Sequence, residues 1–428
     1  MSTDSFVHCL PVGWDEEELG VIAETQLGKM LNSSKQTGSA KMPYLRNINL
    51  QWGRISLTDV KEMDIFDDEK EQFTLSKGDV LVCEGGEPGR SAVWNNDLPM
   101  AFQNAIHRIR PSSRINSEFL CYQFEWLTLN GFLDENFTGV TIKHFSQQKL
   151  RRIKCVVPSL QEQEKIVEIL EEQLSRLDAA LAAVRAVREK SARFRRSLLK
   201  SAFNGALTGH DPAAGVLPND WHCSRLDEVA KVQLGRQRSP KHHAGPNMRP
   251  YLRAANVTWK GLDVSDVSEM NFTDEEMETY RLKDGDILVN EASGSASEVG
   301  KAVVFRGEIE DCGFQNHLIR VRVTSVNPSY LYQFLVKNAV LGEYLRESQG
   351  VGINHLGKTK LASWPVPVPS LEEQVRIVEI LEEQLLRLDA SLEIADVIEK
   401  KALAFRQSLL HAAFSGNLTK EWREGADV

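Results

Sequence analysis

PSLQEQEKIVEILEEQLSRLDAAL, residues 158–181, occurs a second time as PSLEEQVRIVEILEEQLLRLDASL, residues 369–392, with 19 of 24 aligned positions identical. The match resumes at FRRSLLKSAFNGALT (194–208) against FRQSLLHAAFSGNLT (405–419), at the same offset of 211 residues. Each copy reads as one long helix. Ser159 and Ser370 stand as N-caps with Glu162 and Glu373 three residues later, the spacing of a capping box, and Gly205 and Gly416 follow the last apolar residues. A helix from Ser159 to Asn204 would run roughly 69 Å, too long for an ordinary core helix.

Val167, Leu170, Leu174, Leu177, Leu181 and Val184 step by alternating three and four residues, as do Val378, Leu381, Leu385, Leu388, Leu392 and Ala395. That is a coiled-coil seam. Beyond it the apolar positions slip by one short step, to Val187, Ser191, Phe194 and Leu198 and to Ile398, Ala402, Phe405 and Leu409, which predicts a stammer at the same place in both copies. The shared slip implies that the two helices pack on each other. Only residues 209–217 join the first helix to the next globular stretch, and nine residues span at most ~32 Å. An antiparallel pair, with an internal pseudo-twofold, is therefore expected.

The segments before the helices repeat at an offset of 207: Trp14 and Trp221, Tyr44-Leu45-Arg46 and Tyr251-Leu252-Arg253, Asn49 and Asn256, KGDVLVCE (77–84) and DGDILVNE (284–291). Short strands at 80–83 and 287–290, strands leaving glycine-rich loops at 89–93 and 300–304, alternating strands at 106–110 and 318–322, and helices at 117–128 and 328–340 give two homologous mixed α/β domains. The fold class is α+β. The expected division is a first domain over 1–157, a first long helix over 158–208, a second domain over 209–368, a second long helix over 369–419 and a tail over 420–428.

Composition is that of an ordinary soluble protein, 42% apolar and 26% charged, with no signal peptide and no apolar run of membrane-span length. A cytoplasmic location without membrane contact is expected. Cys9, Cys83, Cys121, Cys155, Cys223 and Cys312 form no CxxC and no Cys/His cluster, and the adjacent His242 and His243 lack a neighbouring cysteine, so no metal site is expected. A net charge of −9 means that nucleic-acid binding would use local patches and not a general positive field.

No catalytic constellation emerges. GxxxxGK[ST], a strand-GxGxxG-helix unit and the Asp/Asn-Pro-Pro-aromatic tetrapeptide of amino-methylating enzymes are all missing, and Asp79 with Glu84 lacks the lysine expected of a nuclease. What repeats instead are groups suited to contacting nucleic acid: Arg46 and Arg253, Asn49 and Asn256, Arg90 and Lys301, Gln103 and Gln315, Asn104 and Asn316. Amides beside Phe102 and Phe314 serve equally well to satisfy backbone at a strand end. The loops around them are basic but unlike, with Lys29, Lys35 and Lys41 in the first domain and Arg236, Arg238, Lys241, His242 and His243 in the second. Lys143 and Lys358 add a cation near each domain's close. One scaffold with two sets of polar loops suits two unlike DNA sequences.

Taken together, the chain resembles the specificity subunit of a type I restriction-modification enzyme. The resemblance rests on Pro-Ser-Leu-x-Glu-Gln at 158–163 and 369–374, Gly-Val-x-Ile at 139–142 and 350–353, and Phe-x-Gly-x-Leu-Thr at 203–208 and 414–419, in order and duplicated over nearly the whole chain. It implies a non-catalytic subunit reading double-stranded DNA through two target-recognition domains, one per half of a bipartite asymmetric site, with helices that set the spacer and dock two methylation subunits. S-adenosylmethionine would be held by those subunits, and ATP and Mg by restriction/translocase subunits, with no cofactor in this chain. A coiled-coil scaffold with protein-binding domains, and a self-sufficient DNA methyltransferase or nuclease, are the alternatives.

Overall fold

A computed structural model describes residues 10–32, 37–137, 144–211, 216–293, 298–346 and 354–426. The chain divides into two compact units, one of residues 1–184 with 397–428 and the other of residues 185–396. Each long helix, Leu160–Ala202 and Leu371–Phe414, therefore begins in one unit and ends in the other.

The first unit is built on a four-stranded antiparallel sheet in the order Ala23–Leu27, Ile106–Pro111, Val80–Cys83, Ser91–Val93. Val80–Cys83 is buried on both faces, and its residues alternate between two cores. Val80 and Val82 join Ile109 beneath the helix Ser117–Leu129, whereas Leu81 and Cys83 join Leu45, Trp94 and Phe102 on the other side. A period of two thus feeds two hydrophobic layers from one strand. A smaller three-stranded sheet, Lys61–Asp64, Lys41–Leu45 and Ala101–Phe102, closes the second layer.

The second unit repeats this construction. Its sheet runs Ala230–Leu234, Leu318–Val323, Ile287–Asn290, Ala302–Val304, with Pro328–Val340 as the covering helix and Ser268–Asn271, Met248–Leu252 and Gly313–Phe314 as the small sheet.

Each long helix is fixed to its own domain at its start. Strand Lys154–Val157, which leads into the first helix, pairs with Asp15–Glu18, and Pro365–Val368 pairs with His222–Arg225 before the second. The Ser159 hydroxyl accepts from Glu162 N–H at 3.3 Å and Ser370 from Glu373 N–H at 3.2 Å, so the expected N-caps form. The reciprocal half of the capping box does not. Glu162 turns inward, where its carboxylate accepts from the Trp14 indole at 2.9 Å, the Thr419 hydroxyl at 2.7 Å and the Arg423 guanidinium. Glu373 likewise accepts from Trp221 at 3.0 Å, Thr208 at 2.6 Å and His210 at 2.9 Å. The Pro-Ser-Leu-x-Glu-Gln start of one helix and the Leu-Thr end of the other thus meet inside each unit. Residues 420–426 of the tail form a short helix that carries Arg423 to Glu162.

Packing follows the same antiparallel plan. In the first unit Ile166, Leu170 and Leu174 share a core with Leu410, Ala413 and Phe414, and the Phe414 ring stacks on Trp126 at 5.3 Å. In the second, Phe203 packs edge-on against Phe334 at 5.4 Å, in the core that holds Ile377, Val378 and Leu381. Arg188 donates to Asp396 at 2.6 Å and Arg195 pairs with Asp389, seven residues forward on one helix and seven back on the other. Arg406 bridges Glu125 at 2.5 Å and Asp178 at 3.5 Å in the first unit.

These arginines correct one expectation. The seam does not slip: Val184, Ser191 and Leu198 are buried at seven-residue steps, as are Ala395 and Ala402, and Arg188 and Arg195 occupy the positions between. Val187, Phe194, Ile398 and Phe405, the large residues that suggested a stammer, are between 41% and 47% exposed. Arginine stems lie along apolar surface while their charged heads reach carboxylates, so a seam can continue through them. Cys83, Cys121, Cys155 and Cys312 are buried thiols and Cys223 is exposed, with no disulfide among them.

Candidate nucleic-acid interface

The repeated Arg-x-x-Asn segment forms a 3₁₀ turn, at Asn47–Asn49 and Ala254–Asn256. Asn49 accepts from Arg46 N–H at 2.9 Å and donates to the carbonyls of Ser56 at 3.0 Å and Asp59 at 2.9 Å. Asn256 accepts from Arg253 N–H at 2.8 Å and donates to Asp263 at 2.8 Å and Asp266 at 2.9 Å. Both amides are buried and spent on backbone, so the expectation that Asn49 and Asn256 face DNA is corrected: they shape the turn. Arg46 and Arg253 close it from outside by gripping Asp59 at 2.6 Å and Asp266 at 2.8 Å. Since these two acids are well exposed, the guanidiniums stand at the surface beside exchangeable partners. Asp59 and Asp266 recur at the same offset of 207, a signal present in the sequence and missed.

Next to this turn two chain segments cross. Lys29 bridges Gln103 and Arg236 bridges Gln315. Gly28 and Gly235 permit the crossing, because a Cβ at either would lie 2.2 Å from the carbonyl oxygen of Gln103 or Gln315. Lys29 is half-consumed by Glu69 at 2.5 Å and the Asp64 carbonyl at 2.9 Å. Arg236 is buried, stacked 4.8 Å from the Phe272 ring centroid and bonded to Glu276 at 2.9 Å and to His242 at 3.1 Å. Burial would raise the Glu276 carboxyl, but the Thr273 N–H and the Arg236 guanidinium outweigh it and hold it below the ordinary range. Arg236 is thus a structural pillar and does not face a free groove, which corrects that expectation.

Gln103, Asn104 and Asn316 lie at partly exposed positions beside the crossing, and their side chains bond to no other described residue. Gln315 is buried with its Oε1 unpaired. Unsatisfied amides at a strand end are groups that a base edge can satisfy.

A glycine-rich loop lies beside the turn in the first domain, and residues 294–297 of its counterpart fall outside the described residues. Arg90 pairs with Glu87 at 2.5 Å and donates to the Asn47 carbonyl at 3.1 Å, and Asn47 donates to Gly85 O at 2.6 Å. Lys301 pairs with Glu298 and lies 5.7 Å from the Trp259 ring. Glu84 meets His144 at 3.0 Å, and Glu291 meets His355 at 3.4 Å. Burial raises the Glu291 carboxyl, with His355 and His317 opposing. Glu84 stands out in the sequence only as a nuclease carboxylate beside Asp79, and its pairing with His144, repeated by Glu291 and His355, is not among the sequence expectations.

Lys41, Arg238, His243 and Lys358 are exposed; Lys41 lies 3.6 Å from Glu62 and Arg238 donates to His243 at 3.2 Å. Lys35, Lys143 and the Gly-Val-x-Ile segments lie outside the described residues, as does the side chain of Lys241. Asp79, weighed as a nuclease carboxylate, is buried and held by both arms of Arg110 at 2.8 Å, as Asp286 is by Arg322 at 2.7 Å.

A family model described as "Type I restriction modification DNA specificity domain" matches residues 11–183 and 218–400. The chain is 26% identical over 439 residues to the type I restriction enzyme StySPI specificity subunit of Salmonella potsdam, covering 97% of this chain and 91% of that protein. It is similar to the same degree and over the same shares to the EcoKI specificity subunit of Escherichia coli strain K12. Among solved structures, a chain described under "Structural basis underlying complex assembly and conformational transition of the type I R-M system" superposes with a TM-score of 0.66 at 20% identity, over 95% of this chain and 99% of that one. The HsdS subunit from Thermoanaerobacter tengcongensis gives 0.54 at 18% identity, over 95% and 98%.

Proposed function

Since the chain belongs to the type I restriction-modification DNA specificity family, we propose that it is the DNA-reading subunit of such a complex, each domain recognising one half of a bipartite asymmetric site. The observation that carries this reading is one scaffold presenting two sets of residues. The turn and the crossing recur in both units, but Lys41, Asn47 and Arg90 of the first stand where the second has Met248, Ala254 and Lys301. Identical scaffolds with unlike edges read unlike letters. Within each domain Asn104 or Asn316 and Gln103 or Gln315 are assigned to bases, and Arg46, Arg253, Lys358 and Arg238 to phosphates.

The chain itself supplies no chemistry in this reading. Two methylation subunits carrying S-adenosylmethionine dock on exposed polar positions of the long helices, around Glu168 and Arg176 and around Glu379 and Arg387, and restriction subunits bring ATP and Mg. Among the described residues no helix is long and apolar enough to cross a membrane.

The test is methylation mapping of DNA exposed to the assembled complex, before and after residues 1–157 are exchanged for those of a relative. One half of the methylated motif should change and the other should persist. A change in both halves, or methylation without a bipartite motif, would remove the division of labour.

A further inference from the structure

The acid at the start of each long helix sits in a cup whose walls are alike in the two units and whose charge is not. In the first unit Glu162 faces Arg423, whose guanidinium lies 5.7 Å from the Trp14 ring, and the residue before Trp14 is Gly13, which carries no side chain. In the second unit His210 takes the place of the guanidinium, its ring edge-on to Trp221 at 6.2 Å, and the residue before Trp221 is Asp220. The first cup is neutral, one carboxylate against one guanidinium. The second holds two carboxylates, an imidazole and no guanidinium.

The ligand atoms of His210, Asp220 and Glu373 all lie within 4.8 Å of one another. We propose that this cup is a site for a divalent transition-metal ion, with zinc as the representative, standing in the second unit where the Arg423 guanidinium stands in the first. One imidazole nitrogen and two carboxylate oxygens are a donor set for zinc, with water in the fourth position, and imidazole disfavours magnesium and calcium. Binding needs little rearrangement. Glu373 keeps the Trp221 N–H on one oxygen and the Thr208 hydroxyl on the other, His210 Nε2 gives up its hydrogen bond to Glu373 and offers its lone pair with the ring proton on Nδ1, and the exposed Asp220 rotates in. The ion would tie the segment after the first long helix to the start of the second. The inference does not depend on what the domains read.

Titration of the full-length chain, stripped with EDTA and dialysed, with zinc chloride tests it by calorimetry and by thermal unfolding. One zinc per chain and a rise in Tm are expected. Asp220→Asn, and Asp220→Gly, which installs the residue of the first unit, should weaken zinc binding by an order of magnitude or more while leaving the zinc-free Tm unchanged. Cys223→Ser, at the nearby exposed thiol, should leave uptake intact. Absence of stoichiometric uptake, uptake that survives both Asp220 variants, or uptake lost with Cys223 would overturn the assignment.

Discussion

Asn256 donates its amide to the main-chain carbonyl of Asp266 at 2.9 Å, the bond that Asn49 makes to Asp59 at the same length. Two residues of the type that reads adenine are thereby turned away from any ligand, and each closes a ten-residue loop on itself. For this pair, repetition between the two domains marks scaffold and not readout.

Variants should separate the two classes. Asn49→Ala or Asn256→Ala removes the side-chain partner of a backbone N–H and of the Ser56 or Asp263 carbonyl, while the Asp59 or Asp266 carbonyl keeps the arginine, a loss of about 1–3 kcal/mol. The methylated motif should stay the same in whatever complex still assembles. Asn104→Ala or Asn316→Ala, whose amides bond to no other described residue, should leave stability within about 0.5 kcal/mol and alter the motif or its affinity. Unfolding curves read beside methylation profiles decide it, and an unaltered profile for both Asn104 and Asn316 variants would move the readout elsewhere.

Acid should loosen the second unit at Glu373. Burial pushes its carboxyl up, but the Thr208 hydroxyl, the His210 ring and the Trp221 indole together hold it below the ordinary range. A group whose pKa falls on folding stabilises the fold at every pH above its unfolded value, about 4.3 for glutamate, and that contribution fades as pH drops through the folded value. In EDTA, the Tm gap between the wild type and Glu373→Gln should be constant above about pH 5 and narrow below it. A gap that stays constant on acidification would mean that the carboxylate's charge is not what the cup uses.

The seam offers a third test. If the heptads run on through Arg188 and Arg195, Phe194→Gln should cost no more than about 0.5 kcal/mol because the ring is exposed. Ser191→Phe should cost about 1–3 kcal/mol by overpacking a buried small-residue position. A stammer would make Phe194 the sensitive one, and thermal unfolding of the two variants distinguishes the cases.

The sequence disclosed most where a pattern had a period. Val80–Cys83 and Ile287–Asn290 are strands because apolar residues run between a Gly-Asp turn and a glycine loop, and the long helices are legible because caps, heptads and stops occur twice. Hydrophobicity misled where a polar residue takes a seam position: Arg188 and Arg195 reach Asp396 and Asp389 there, whereas the apolar Val187 and Phe194 are exposed. Side-chain satisfaction was not legible at all. Nothing in Arg-Asn-Ile-Asn tells that Asn49 spends its amide on Ser56 and Asp59, since those carbonyls arrive through a loop whose course the fold determines. The acid cups were half legible, because Glu162 and Glu373 stood out as capping residues, yet the tryptophans they bind lie 148 and 152 positions away.

If the helices measure the gap between half-sites, their length should set it. Each begins in one unit and ends in the other, so seven residues added after Leu181 and after Leu392 lengthen both while preserving the heptad phase of Val184, Ser191 and Leu198. The insertion adds roughly 10 Å, about three base pairs of duplex. Three pairs also turn the second half-site about the helix axis by nearly a third of a turn, at 10 to 10.5 pairs per turn. Methylation mapping with the lengthened chain should therefore show the same letters in each half with a wider non-specific gap, or assembly without DNA methylation if the rotation cannot be absorbed. Methylation of the original motif at the original gap and full rate would show that these helices hold the units together without measuring the DNA between them.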